Sequence, residues 1–345
     1  MSDRTRREFL QTSTAALAAF AAAGSSWAMP YAVRASQGPT PLERRRFGAT
    51  DMEVTVLGFG GAEIGFQKTD QDIIGRLLNS ALDAGLNVID TAECYAGSEE
   101  SIGSAVSGRR KEFYLFTKVG HIDGWGKADG WTGPSIERSI ERSLERLKTD
   151  QVDLVQLHSC AREFLEKGEC IDALEKARKA GKTRYIGYSG DGAAAVYAIE
   201  SGRFDALQTS VSIADQEAID LTLPKAREKN MGVIAKRPIA NAAWRFDEEP
   251  KQATEYYKRL KKLDFAFAKG DNRSNQGPDG TAGMALRFTL AVPGVDVAIV
   301  GTTKPERWKQ NAELLRAGGP LPRDRYDTIR ARWKEVSESG WTGQM

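Results

Sequence analysis

From Arg45 onward the chain alternates short apolar runs with amphipathic stretches of helical period, and the alternation recurs eight times. Few folds satisfy that pattern. A strand that returns parallel to its predecessor needs a long crossover, usually a helix. Repeated strand–helix units therefore imply a parallel sheet with helices outside it. The apolar runs lie at 54–57, through Val88 and Ile89, and at 113–117, 152–157, 184–188, 204–208, 232–236 and 295–300. Helical patterns fall at 171–179, 193–199, 224–228, 253–263 and 284–290, and a last one begins near Pro305. Eight units over about 300 residues favour an α/β fold of the closed (β/α)8 TIM-barrel type, one domain spanning 45–340, over an open doubly wound sheet. With 41% apolar residues in 345, the chain can fill so large a core. The turn at Gly58–Gly61, G-F-G-G, lacks the spacing of a dinucleotide fingerprint.

Local signals agree with the rhythm. Asp70 caps a helix whose apolar positions are Ile74, Leu77, Leu78, Ala81 and Leu82, and Gly85 stops it. Pro134 opens a helix with Ile136, Ile140, Leu144 and Leu147 on one face. Its other face, 137–146, carries alternating charges expected to pair along the helix as a solvated surface. Residues 271–283 form a polar insert and no domain boundary.

Residues 1–35 are of another kind. The stretch Thr5-Arg6-Arg7-Glu8-Phe9-Leu10 resembles a twin-arginine (Tat) export signal, and an Ala-rich run follows at 15–23. That run is too short to span a bilayer, so no membrane anchor is expected. Small residues permit cleavage after Ala28 or Ala35. The resemblance implies handling by the Tat machinery and a periplasmic mature chain. The alternative is an uncleaved tail on a cytoplasmic protein. Lys plus Arg number 49 against 47 Asp plus Glu, a balance that offers no basic stripe for nucleic acid. The cysteines are Cys94, Cys160 and Cys170, an odd, small number that argues against a disulfide framework. Cys160 and Cys170 can pair only if the fold brings them together. Cys94 adjoins Tyr95 and Cys160 lies two residues beyond His158, positions that suit a redox switch.

In a barrel, functional side chains gather at the C-terminal strand ends and the loops after them. Asp90 ends the second run, Lys118 the third and His158 the fourth, and Tyr95 lies in the loop after Asp90. At these residues the chain resembles the aldo/keto reductase superfamily. The match is strongest in D-T-A-x-x-Y-x-x-S-E, from Asp90 to Glu99, and continues in TKVG, QLHS and RSLERLKTDQVDL. The resemblance implies a catalytic tetrad of Asp90, Tyr95, Lys118 and His158. Hydride reduction of a carbonyl leaves charge on oxygen that a proton must meet. Tyr, with an ordinary pKa of about 10, is expected to be brought down by the Lys118 ammonium. Asp90 holds Lys118, and neutral His158 donates a hydrogen bond to the carbonyl. No metal is expected: the chain has two histidines, His121 and His158, and no close Cys/His spacing.

The hydride source implied is a nicotinamide cofactor, NADP(H) in preference to NAD(H). Ser189 and Gln208 match positions that meet the nicotinamide amide. Gly301, Thr302, Arg307, Gln310 and Asn311 match positions at the cofactor phosphates, with Arg307 suited to a 2′-phosphate. Lys236-Arg237 stands where many relatives carry a stacking Tyr. Trp125, Trp131, Trp244 and Trp341 either line the substrate pocket or pack the loops, and the C-terminal residues from 337 are placed over the barrel mouth. The function expected is reversible reduction of an aldehyde or ketone to an alcohol. The alternative is a nicotinamide-binding redox sensor or regulatory subunit with little turnover. A metal-dependent hydrolase on the same fold lacks a ligand set.

Overall fold

The computed structural model describes residues 40–121, 131–270 and 277–344. The export-signal segment, Trp125 and part of the polar insert lie outside them. A two-stranded antiparallel hairpin comes first, β1 (Arg44–Arg46) with β2 (Glu53–Thr55). Eight parallel strands then close into a barrel: β3 (Leu57–Gly60), β4 (Val88–Asp90), β5 (Tyr114–Val119), β6 (Val152–His158), β7 (Thr183–Ser189), β8 (Ala206–Ser210), β9 (Gly232–Lys236) and β10 (Val297–Val300), with β10 pairing β3.

The helices run in chain order between and after these strands. They are α1 (Ala62–Phe66), α2 (Gln71–Asp83), α3 (Ser98–Val106), α4 (Gly133–Leu147), α5 (Arg162–Lys167), α6 (Glu169–Lys179), α7 (Gly192–Glu200), α8 (Glu217–Leu221), α9 (Leu223–Glu228), α10 (Thr254–Leu263), α11 (Thr281–Ala291), α12 (Arg307–Gly318) and α13 (Arg323–Val336). The cap on α2 is as expected: the Asp70 carboxylate accepts from the Asp72 amide at 2.8 Å, and Gly85 follows the helix at φ 100°. The last helix, α13, is additional to the expected units. Its Tyr326 stacks on Phe288 of α11 at 5.3 Å, and its Arg330 pairs with Asp220 of α8 at 2.7 Å.

Two expectations need correction. The run 54–57 is not the first barrel strand. Residues 53–55 belong to the hairpin, and the barrel strand begins at Leu57. The run looks continuous because both pieces are buried for different reasons. Phe47, Met52 and Val54 plug the N-terminal end of the barrel, where Phe47 stacks on Phe116 at 5.6 Å. A Cβ on Gly232, the first residue of β9, would strike the Phe47 ring, so the plug demands glycine there. The charges of α4 do not pair along the helix either. Glu137 binds Lys176 and Glu141 binds Lys182 on the neighbouring unit, while Arg142 and Arg146 turn toward Glu93, Glu99 and Glu100.

Strand side chains alternate between the barrel interior and the helical layer. The inner set begins with Val88, Phe116, Leu154, Ala206, Ile234 and Val297. Two residues further along five of these strands, the inner positions become Asp90, Lys118, Gln156, Gln208 and Lys236, while the sixth keeps an apolar Ile299. The interior is therefore apolar toward the hairpin and polar toward the C-terminal rim.

Candidate active site

Asp90 and Lys118 are each 1% exposed, and the Lys118 ammonium donates to Asp90 Oδ2 at 2.5 Å and to the Thr91 carbonyl at 2.8 Å. Burial opposes the ammonium, but the Asp90 charge and hydrogen bond outweigh it and hold the Lys118 pKa above its ordinary value. Gln156 donates to Asp90 Oδ1 at 3.2 Å, and Gln208 approaches Oδ2 at 3.5 Å. Gln156 is absent from the expected site. It shares the inner face of β6 with His158, two residues along, and that period is its only signal in the sequence.

Tyr95 is half-buried in the loop between β4 and α3. The loop is tied down where Ser98 Oγ donates to the Gly61 carbonyl at 2.8 Å and accepts from Thr91 Oγ1 at 2.9 Å. Ala96 takes a positive φ of 33° and Gly97 one of 83°, so the turn after Tyr95 uses two left-handed residues. A Cβ at Gly65 would collide with the Tyr95 carbonyl; glycine lets α1 cross there. The Tyr95 ring meets Phe66 at 5.5 Å and the edge of His158 at 5.5 Å, and the Lys118 ammonium sits 4.9 Å from its centre. The expected lowering of the Tyr95 pKa is not found. Burial pushes the phenol above its ordinary value, and the opposing pull of Lys118 does not overcome it.

His158 is buried at the end of β6, and burial together with the Lys118 charge drives its pKa well below the ordinary value. The imidazole is therefore neutral near pH 7. Its Nδ1 lies 3.4 Å from the Cys94 thiol. His121 Nε2 donates to the His158 carbonyl at 2.7 Å, and its ring meets Trp131 edge-on. Burial raises the Cys94 thiol to about 12, which keeps it protonated.

Two buried glutamates of the Asp90–Glu99 motif carry roles that the sequence does not announce. Glu93 accepts from the Gly120 and His121 amides at 2.8 and 2.9 Å, from Ser139 at 2.6 Å and from Arg142 at 2.8 Å. It thereby anchors the loop after Lys118 to α4. Glu99 accepts from Thr117 at 2.6 Å. A run of acids inside a buried stretch is the available clue.

The expected cofactor positions fall into two groups. His158, Ser189 and Gln208 stand in one register row across β6, β7 and β8. Gln208 Oε1 is buried and has no hydrogen-bond partner among the described residues, an acceptor of the kind a carboxamide N–H would fill. Gly301 follows β10, and a Cβ there would meet the Glu63 carboxylate. Thr302 Oγ1 accepts from the Lys304 amide at 3.1 Å. Arg307 begins α12, half-buried and without an ion pair among the described residues, while Gln310 is exposed and Asn311 buried. These groups fit a nicotinamide dinucleotide: a vacant acceptor at one end, a helix N-terminus with a cation at the other. Lys236 pairs with Asp191 at 2.8 Å. The C-terminal residues cross the same rim, where Arg259 donates to the Thr342 carbonyl at 2.9 Å and Arg237 donates to that of Gln344. Trp131, Trp244 and Trp341 are each 7% exposed and pack the loops.

Residues 56–334 match the profile of the Aldo/keto reductase family. The chain is 28% identical over 288 residues to the uncharacterized oxidoreductase YqkF of Bacillus subtilis, covering 80% of this chain and 92% of that protein. It is 27% identical over 293 residues to L-galactose dehydrogenase of Arabidopsis thaliana, covering 80% and 89%. Among solved structures, the holo form of aldo-keto reductase AKR11C1 from Bacillus halodurans superposes with a TM-score of 0.74 at 26% identity, covering 87% of this chain and 99% of that one.

Proposed function

The chain belongs to the aldo/keto reductase family and is an NAD(P)H-dependent oxidoreductase; from that premise we propose that it reduces an aldehyde or ketone to an alcohol, reversibly, with NADP(H) as cofactor. The observation that carries the reading is the buried Asp90–Lys118 pair, whose ammonium lies against the Tyr95 ring beside a neutral His158.

Bound nicotinamide supplies the hydride. The chain's own residues handle the proton and the oxygen. Tyr95 stays protonated until needed, because burial raises its pKa. It gives its proton to the carbonyl oxygen as charge builds there. The phenolate left behind faces the Lys118 ammonium in a low-dielectric site, so the attraction is largest when the phenolate forms. Asp90 keeps that ammonium charged and in place. The neutral His158 ring donates a hydrogen bond that orients the carbonyl. Gln208 and Ser189 would hold the carboxamide, and Arg307 would pair with a 2′-phosphate, which would favour NADP(H).

The test is Tyr95→Phe. Turnover of a panel of aldehydes and sugars, L-galactose included, is expected to vanish while NADP(H) binding survives; near-normal turnover overturns the mechanism. We also propose that the mature chain works in the periplasm, which the Arg6-Arg7 stretch supports. The Tat route moves folded proteins, so cofactor loading would precede export. Cell fractionation with NADP(H) assay of the mature protein checks this, and a wholly cytoplasmic chain overturns it.

A further inference from the structure

The sequence left open whether Cys160 and Cys170 meet. They do: their Sγ atoms are 4.0 Å apart, and both side chains are fully buried. We infer that this pair is a reversible dithiol–disulfide site that ties the end of β6 to the start of α6. Neither residue belongs to the tetrad or the cofactor positions.

The surroundings fit. Cys160 lies two residues beyond the end of β6, and the Tyr188 hydroxyl fixes it by donating to its carbonyl at 2.9 Å. Cys170 is the second residue of α6, an 11-residue helix entered through Gly168 at φ 82°. The Cys160 thiol, then the amides of Cys170 and Ile171, hold the Cys170 thiol below its ordinary pKa. Burial pushes Cys160 the other way. The two thiols are thus unequal, a nucleophile at a helix N-terminus and a protonated partner beside it. A disulfide needs the sulfurs about 2 Å apart, so the pair has about 2 Å to close from the 4.0 Å seen here.

The reaction consumes an external disulfide. The Cys170 thiolate attacks one of its sulfurs, forming a mixed disulfide and releasing one thiol. Cys160 then attacks Cys170 Sγ and releases the second thiol. The protein loses two protons and two electrons, and both are carried by the two thiols released.

The experiment treats the full chain with oxidised glutathione, both natively and during refolding, then quenches in acid, denatures and labels with N-ethylmaleimide. Intact mass and peptide mapping count the adducts. The expected product carries one adduct, on Cys94, and three after dithiothreitol reduction. Cys170→Ser is expected to carry two adducts under all conditions. Formation of the bond only during refolding overturns the reversible site, because the folded chain then gives the external disulfide no access to Cys170. Three adducts throughout, a bond to Cys94, or glutathione held on one cysteine without closure overturns it.

Discussion

Glu99→Gln is expected to remove a definite part of the pH dependence of stability. Glu99 is 1% exposed; one oxygen accepts from Thr117, and the other lies 3.6 Å from Arg146 with no hydrogen bond among the described residues. Burial pushes the carboxyl from 4.5 up to about 7. At roughly 1.4 kcal/mol per pH unit, the rise corresponds to about 3 kcal/mol. The folded pKa lies above the unfolded one, so this contribution is fully present below pH 4.5 and is lost as pH rises through 7. Glutamine cannot ionise and does not suffer the loss. For a barrel of this size about 3 kcal/mol corresponds to roughly 5 °C in Tm. Thermal unfolding of both proteins at about pH 4.5 and about pH 8 gives the test. The Tm of the variant relative to wild type is expected to climb by roughly 5 °C across that range. Asp215 and Asp296, raised by burial to about 7 and about 6, titrate in both proteins and cancel in the difference. A difference that stays constant with pH refutes the reasoning.

Asp90→Asn leaves the Lys118 ammonium buried without its carboxylate; urea unfolding is expected to show a loss of about 3–5 kcal/mol, with kcat falling as well. His158 has a depressed folded pKa, so its contribution to stability is present above about pH 6.5 and is lost as pH falls below that value. His158→Gln is expected to flatten the acid-side fall in Tm, and the wild-type pH–rate profile to show no histidine inflection between about pH 5.5 and 8. Arg307→Ala is expected to raise KM for NADPH about tenfold and to leave KM for NADH nearly unchanged, read by steady-state kinetics with both cofactors.

The barrel was legible because each strand–helix unit carries its own period, and Asp90, Lys118 and His158 because they end such runs. Where long-range contacts decide, the sequence was mute. Val54 and Leu57 look like one strand, yet one fills the barrel floor and the other lines its wall. Glu93 is satisfied by Ser139 and Arg142, partners 46 and 49 residues away. The sequence predicts a Tyr95 pKa that follows its charged neighbour, but desolvation is a property of the whole fold and prevails.

Strand register explains why these pieces cannot be rearranged singly. Thr117 and Lys118 are adjacent on β5 and point to opposite faces. Thr117 serves Glu99 on the helical side, and Lys118 serves Asp90 inside the barrel. Two buried carboxylates are thus met by consecutive residues through a two-residue alternation. A slip of β5 by one residue would turn each to the opposite face. Slipped so that Thr117 takes the place of Lys118, the strand would set a hydroxyl against Asp90 and turn the ammonium to the outer layer. Phe116, which stacks on the Phe47 plug, would leave the interior in the same step. The floor of the barrel and its reactive rim are therefore held in one register by the same strand.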